Sequence, residues 1–107
     1  MIEVIYYPDH NQLTVNGHAG SAEPGRDLIC ASCSILTLTL ARNVKHLCDS
    51  GCASEQVTVL QEGHAEIRCT PMARYTDSVK QVFLSVCVGF EILADKFPEF
   101  VSYAVHR

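Results

Sequence analysis

A stripe of apolar side chains at helical spacing runs through the C-terminal third of the chain. It predicts a long amphipathic helix that ends at Pro98, because proline cannot continue a helix. A helix of this kind gains most of its stability by packing its apolar side against another layer. The stripe consists of Tyr75, Val79, Val82, Phe83, Val86, Phe90, Leu93 and Phe97.

A second helix is predicted from Leu28 to about Cys48, followed by the helix-terminating run Asp49-Ser50-Gly51. The segment from Ile35 to Leu40 alternates like a strand, but the whole run is too long for a typical strand. The helix therefore prevails over the local alternation. The side chains expected to share its buried side are Leu28, Ile35, Leu36, Leu40, Val44 and Leu47.

The remaining segments have the alternation, β-branched residues and bounding turns typical of strands. Combined with the two helices they predict an α+β fold, a mostly antiparallel sheet with two long helices packed on one face, in the order β-β-α-β-β-α-β. The predicted strands are Ile2–Tyr7, Leu13–Ala19, Val57–Leu60, Ala65–Cys69 and Phe100–His106.

Length and composition exclude several classes of protein. A chain of 107 residues with 48% apolar and 19% charged residues is expected to form a single globular domain, residues 1–107. Its net charge of −4 argues against nucleic-acid binding, which usually requires a basic surface. The start, Met1-Ile2-Glu3, lacks the features of a signal peptide, and no apolar run approaches about 20 residues. We therefore expect a cytoplasmic protein with no membrane partner and reduced thiols.

Cys30 and His18 are the candidate catalytic residues. Cys30 lies in the first turn of the first predicted helix, where free amide hydrogens and the helix dipole favour a thiolate. His18 ends the second predicted strand and can act as the base or as the imidazolium of an ion pair. The same amides can stabilise the oxyanion of a tetrahedral intermediate. The pattern predicts a cysteine peptidase that needs no metal and no cofactor.

Asp27 and Ser34 are candidate supporting residues. Asp27 is a good N-cap, since its carboxylate can accept the amide hydrogens of the first turn. Whether it also orients His18 is left open by the sequence. Ser34 follows Cys30 by four residues, so it lies on the same side of the helix and can donate a hydrogen bond into the site.

These residues resemble those of the ribosomal-processing cysteine proteases (Prp). The resemblance is carried by Gly17-His18-Ala19, Gly25, Asp27, Cys30-Ala31 and Ser34 at the family's spacing. It implies a His18/Cys30 dyad and a homodimer that takes part in ribosome biogenesis. The implied substrate is the precursor of the twenty-seventh large-subunit ribosomal protein, cut to remove a short N-terminal extension. The resemblance also implies a lid loop made of Gly20, Ser21, Ala22, Glu23, Pro24, Gly25 and Arg26.

Two alternatives follow from the six cysteines. Cys30, Cys33, Cys48 and Cys52 approach the spacing of a four-thiolate zinc site, which would make the chain a zinc-binding interaction module. Cys30 and Cys33 alone can also form a redox dithiol at a helix N-terminus. Packing in the core is the default interpretation for Cys33, Cys48, Cys69 and Cys87.

Overall fold

The structure is a computed structural model that describes residues 1–18 and 27–107. Within those residues the long helices are α1 (Asp27–Asp49) and α2 (Thr76–Lys96). The strands are β1 (Ile2–Tyr7), β2 (Gln12–Gly17), β3 (Ala53–Gln61), β4 (His64–Pro71) and β5 (Val101–Val105). The predicted element order and the α+β class are confirmed.

The strands form one mixed sheet in the order β3-β4-β2-β1-β5. Short connections make β1–β2 and β3–β4 antiparallel hairpins, and β2 also pairs antiparallel with β4. The chain returns through α2 before it forms β5, which is why β5 can pair parallel with β1. One end of the sheet therefore collects the start of β1, the end of β2 and the β3–β4 turn. We call this the glycine end, after Gly17 and Gly63, which lie there.

The core lies between one face of the sheet and the two helices. On β1 and β4 the buried side chains alternate, as expected of strands with one covered face. Tyr6 and Phe83 stack across this layer with their ring centroids 6.0 Å apart. The largest buried side chains are Tyr6, Phe83, Phe90, Leu13, Leu40, Ile67, Val4, Val44, Val79 and Val101.

The predicted bounds of α1 are nearly correct, but two of its predicted core residues are wrong. Leu28 is 71% exposed and Ile35 is 61% exposed. The buried stripe instead contains Thr37, which is 6% exposed and whose hydroxyl donates to the Cys33 carbonyl at 2.7 Å. This hydrogen bond removes the main cost of burying the Thr37 hydroxyl. The side of α1 that faces the core is therefore set by the geometry of the helix and need not be entirely apolar. The stripe is Cys33, Thr37, Leu40 and Val44.

The predicted stripe of α2 is confirmed for Val79, Phe83, Val86 and Phe90, which are all buried. Phe97 is 40% exposed, because the helix ends at Lys96 and the chain turns toward β5. The helices approach closely at Gly89, where a Cβ would lie 2.6 Å from Cδ2 of Leu36.

From the sequence we expect no apolar run long enough to cross a membrane. By length and composition alone, however, α1 is long and apolar enough to do so. In this fold one side of the helix packs against the sheet through Leu40 and Val44, which are fully buried. The core helix of a folded domain satisfies the same criterion as a membrane span. We therefore describe α1 as a core helix.

Candidate active site

Cys30 lies in the first turn of α1, three residues after the helix begins at Asp27. Its side chain is half-buried and packs against the core. The first four amide hydrogens of an α-helix have no partner within the helix, so several point toward this end. Cys30 thus combines a reachable thiol with nearby hydrogen-bond donors.

Cys33 lies one turn further along and has different surroundings. It is 4% exposed, and burial raises the pKa of its thiol to about 11, with a further contribution from the negative charge of Cys30. Cys33 is therefore protonated at neutral pH and poorly suited to attack a carbonyl. Of these two thiols, Cys30 is the accessible one.

His18 directly follows β2, which lies in the middle of the sheet between β4 and β1. Its side chain is exposed. Its imidazole lies against the β3–β4 turn, since a Cβ built on Gly63 would be 2.7 Å from Nε2 of His18. The turn is thus part of the surroundings of the candidate base.

Two glycines hold the strand end that carries His18. Gly17 has a φ of +103°, and a Cβ there would lie 2.1 Å from the carbonyl oxygen of Met1, so no other residue fits. The Gly17 amide donates a hydrogen bond to the Gly63 carbonyl at 2.9 Å. His18 therefore leaves the sheet from a fixed backbone position.

Asn16 and His64 form a cross-strand pair beside these glycines. They are register partners on β2 and β4, and Nδ1 of His64 donates to Oδ1 of Asn16. The sequence alone assigns no role to Asn16, Gly63 or His64. The glycine in a hairpin turn was visible in the sequence, but its contact with His18 depends on the pairing of β2 with β4.

The path of α1 places Cys30 at the same end of the molecule as His18. A turn of three residues, 50–52, joins the end of α1 to the start of β3, and Cys48 near that turn lies beside Glu55, so the two elements run antiparallel. Leu38 and Leu60 line the groove between them. Cys30 lies eight residues before Leu38, about 12 Å further along the helix axis. Because this is also the direction from Leu60 to the β3–β4 turn, the start of α1 lies at the glycine end of the sheet.

The other predicted site residues fall in different places. Ser34 is exposed, one turn after Cys30. Asp27 is the first residue of α1, but its side chain and the predicted lid, Gly20–Arg26, lie outside what the structure describes. No hydrogen bond joins His18 to Cys30 among residues 1–18 and 27–107.

The four-thiolate zinc site is wrong. Cys33 and Cys48 are fifteen residues apart on one continuous helix, which separates them by about 22 Å along its axis. Sulfur ligands of one zinc ion each lie roughly 2.3 Å from the metal, so these two thiols cannot share it. No group of three metal-binding side chains occurs within the described part of the chain.

The described residues provide a half-exposed thiol in the first turn of a helix and an imidazole at the same end of the adjoining sheet. These are the two groups that a cysteine peptidase site requires. The family model for the cysteine protease Prp matches residues 1–102. The chain therefore belongs to the Prp family of cysteine proteases. The predicted family and the predicted enzyme class are confirmed.

Three solved structures are similar in fold. The crystal structure of SMU.848 from Streptococcus mutans is 27% identical with a TM-score of 0.67, covering 97% of this chain and 90% of that chain. Two structures of the essential ribosomal processing protease Prp from S. aureus, one with a covalently linked product peptide and one with a substrate peptide, have TM-scores of 0.76 and 0.74.

The S. aureus protein is 18% and 17% identical in those two comparisons, each covering 99% of this chain and 100% of that chain. At these identities the likeness shows the fold. The comparison with curated proteins found no match.

Proposed function

We propose that this protein is an endopeptidase that removes the short N-terminal extension of the twenty-seventh large-subunit ribosomal protein. Cys30 is its nucleophile and His18 its acid–base partner. The observation that carries the proposal is the position of Cys30, a reachable thiol in the first turn of α1 at the glycine end of the sheet. The peptide-bound S. aureus structures of a ribosomal processing protease with the same fold support the substrate class.

The first step forms the bond between Sγ of Cys30 and the scissile carbonyl carbon. The thiolate adds to this carbon, and the carbonyl electron pair moves onto oxygen, giving a tetrahedral oxyanion. Unpaired amide hydrogens at the start of α1 can donate to that oxyanion. The helix thus serves both the nucleophile and the developing charge.

His18 supplies the proton that the leaving amine needs. When the tetrahedral intermediate collapses, the C–N bond breaks and the imidazolium proton passes to the amine nitrogen. The neutral imidazole then takes a proton from water, whose oxygen attacks the thioester and releases Cys30. The three His18 atoms nearest to a Cβ on Gly63 are Nε2, Cε1 and Cδ2, so Nδ1 lies on the opposite edge of the ring. We propose that Nδ1, the ring nitrogen away from Gly63, carries the transferred proton.

The free enzyme need not hold the two groups in contact. His18 and Cys30 lie on either side of residues 19–26, which include the predicted lid. We propose that substrate binding brings them together, since catalytic hydrogen bonds are often formed only in the complex. In this proposal Asp27 caps α1 and Ser34 donates into the occupied site.

The proposal includes a cytoplasmic homodimer. Both helices carry exposed apolar side chains away from the core: Ile35 and Leu38 on α1 are 61% and 51% exposed, and Val88 and Ile92 on α2 are 50% and 49% exposed. An unpartnered apolar surface of this kind favours association. Sedimentation of the purified protein should give twice the chain mass of 11.8 kDa.

Incubation with the full ribosomal precursor, followed by mass measurement, tests the proposed reaction. We expect one product that has lost its N-terminal extension and one short peptide. The Cys30→Ser variant should leave the precursor intact. An intact precursor after incubation with the wild-type protein, at a concentration that cleaves a generic peptide, would contradict the proposed substrate.

A further inference from the structure

The β3–β4 turn touches the candidate base through a residue that has no side chain. A Cβ placed on Gly63 would lie 2.7 Å from Nε2 and 3.2 Å from Cε1 of His18. Real Cβ atoms essentially never come this close to another heavy atom, so any side chain at position 63 requires the imidazole to move. The ring of His18 thus occupies the space that a side chain at position 63 would fill.

Gly63 also holds the backbone that carries His18. Its carbonyl oxygen accepts the amide hydrogen of Gly17 at 2.9 Å. Gly17 is in turn fixed against the Met1 carbonyl. One turn residue therefore constrains His18 twice, through the strand end before it and through the face against which its ring rests.

Gly51, in the turn between α1 and β3, shows that this contact is not required by the turn conformation itself. Gly51 has a φ of +75° and Gly63 a φ of +77°, so both backbones adopt the same left-handed conformation. A Cβ on Gly51 would have nothing within 4 Å. The two glycines thus share their conformational requirement and differ in their neighbours.

We propose that Gly63 is a positioning residue for catalysis, which holds the imidazole of His18 in the orientation that the reaction needs. This inference rests on the proposed role of His18 as the acid–base group. An imidazole that is displaced by about 1 Å delivers its proton poorly, and errors of this size can cost about 10²-fold in rate. Substrate binding need not depend on Gly63 in the same way, so its effect is expected on kcat rather than on KM.

Alanine at each glycine provides a matched pair of variants. Gly63→Ala and Gly51→Ala introduce the same side chain at the same φ, so backbone strain should lower Tm similarly in both. Gly63→Ala should lower Tm further, because its methyl group meets the His18 ring. Gly63→Ala should lower kcat at least tenfold with KM changed less than threefold. Gly51→Ala should keep kcat within twofold. Equal kcat values for the two variants would overturn the proposal.

Two further measurements do not depend on activity. The imidazole proton resonances of His18 should shift in Gly63→Ala and stay in place in Gly51→Ala. In a His18→Ala background, Gly63→Ala should lower Tm no more than Gly51→Ala does, because the ring that opposed the new methyl group is gone. Unchanged His18 resonances in Gly63→Ala would contradict the contact, even if that variant is less stable.

A failure of the proposed function would be recognised separately. Undiminished cleavage by His18→Ala would contradict the dyad itself. Shifted His18 resonances in Gly63→Ala would still support the contact between the turn and the ring.

Discussion

Cys30 and Cys33 lie one turn apart on the same helix, yet their surroundings suit them to different tasks. Cys30 is half-buried at the open end of α1, whereas Cys33 is 4% exposed in the core stripe. Burial raises the pKa of the Cys33 thiol to about 11, which keeps it protonated in the cell. The comparison shows that the position of a thiol around the helix, and not its closeness to the helix start alone, decides whether it can act as a nucleophile.

Removal of each thiol gives the largest expected contrast. Cys30→Ala should lower kcat/KM for the precursor by a factor on the order of 10³ or more, because it removes the nucleophile. Cys33→Ala should keep kcat/KM within a few fold and lower the free energy of unfolding by about 1 kcal/mol through the lost packing. Cleavage assays on both variants, with Tm as the control for folding, check this. If both variants fold and both lose activity, Cys30 and Cys33 do not differ in function as proposed.

His18→Ala should lower kcat by roughly 10² to 10³-fold, because the leaving amine then lacks its proton donor. His64→Ala is the matched control, since His64 lies on the neighbouring strand and donates to Asn16. We expect His64→Ala to keep most of its activity. A greater loss of activity in His64→Ala than in His18→Ala would show that His18 is not the acid–base residue.

The rates at which Cys30 and Cys33 are alkylated compare the two thiols without any substrate. At pH 8 a thiol with a pKa of about 11 is thiolate only to about one part in 10³, and Cys33 is also shielded from reagents. Iodoacetamide should therefore modify Cys30 at least tenfold faster than Cys33. Tandem mass spectrometry of the peptide that contains both residues separates the two products. Equal rates in the folded protein would show that Cys33 is accessible.

The raised pKa of Cys33 predicts a loss of stability in alkaline solution. Burial holds the folded-state pKa of the Cys33 thiol near 11, above the ordinary value of 9.0. The folded protein therefore has its full stability below pH 9, where the thiol is protonated in both states, and loses stability as pH rises toward 11. The free energy of unfolding should fall by about 1–2 kcal/mol per buried thiol over this range. Urea titrations at pH 8 and pH 10.5 should show a smaller fall in Cys33→Ala than in the wild type.

Cys69 offers a second test of the same effect, because burial also raises the pKa of its thiol to about 11. Cys69→Ala should reduce the alkaline loss of stability by a similar amount. If neither variant changes the dependence on pH, burial does not keep these thiols protonated.

Asp27→Asn is expected to have the smallest effect on catalysis, about threefold or less in kcat/KM. Asparagine caps a helix nearly as well as aspartate, so the start of α1 should be preserved. Steady-state kinetics with the precursor check this. A loss of a hundredfold or more would instead indicate that the carboxylate itself orients His18.

Much of the fold could be predicted because helical and strand periodicities are local properties of the sequence. The stripe Val79, Phe83, Val86 and Phe90 is buried as predicted. The buried side of α1 could not be predicted by apolar character alone. Thr37 is buried and Ile35 exposed, because a side chain-to-backbone hydrogen bond makes the threonine acceptable in the core.

The candidate site was predicted less completely than the fold. Cys30 could be placed at a helix start from local signals, and the family assignment supports that choice. Gly63 could not be found in this way. Its contact with His18 depends on β4 pairing with β2 across 46 intervening residues of chain between Gly17 and His64, a tertiary arrangement that the hairpin pattern does not specify.

The most direct test of the account is to trap the nucleophile with an electrophilic peptide based on the residues before the cleavage site. We predict a single covalent adduct on Cys30, whose rate of formation falls in His18→Ala and is unchanged in Cys33→Ala. An adduct on Cys33, or undiminished precursor cleavage by Cys30→Ala, would contradict it.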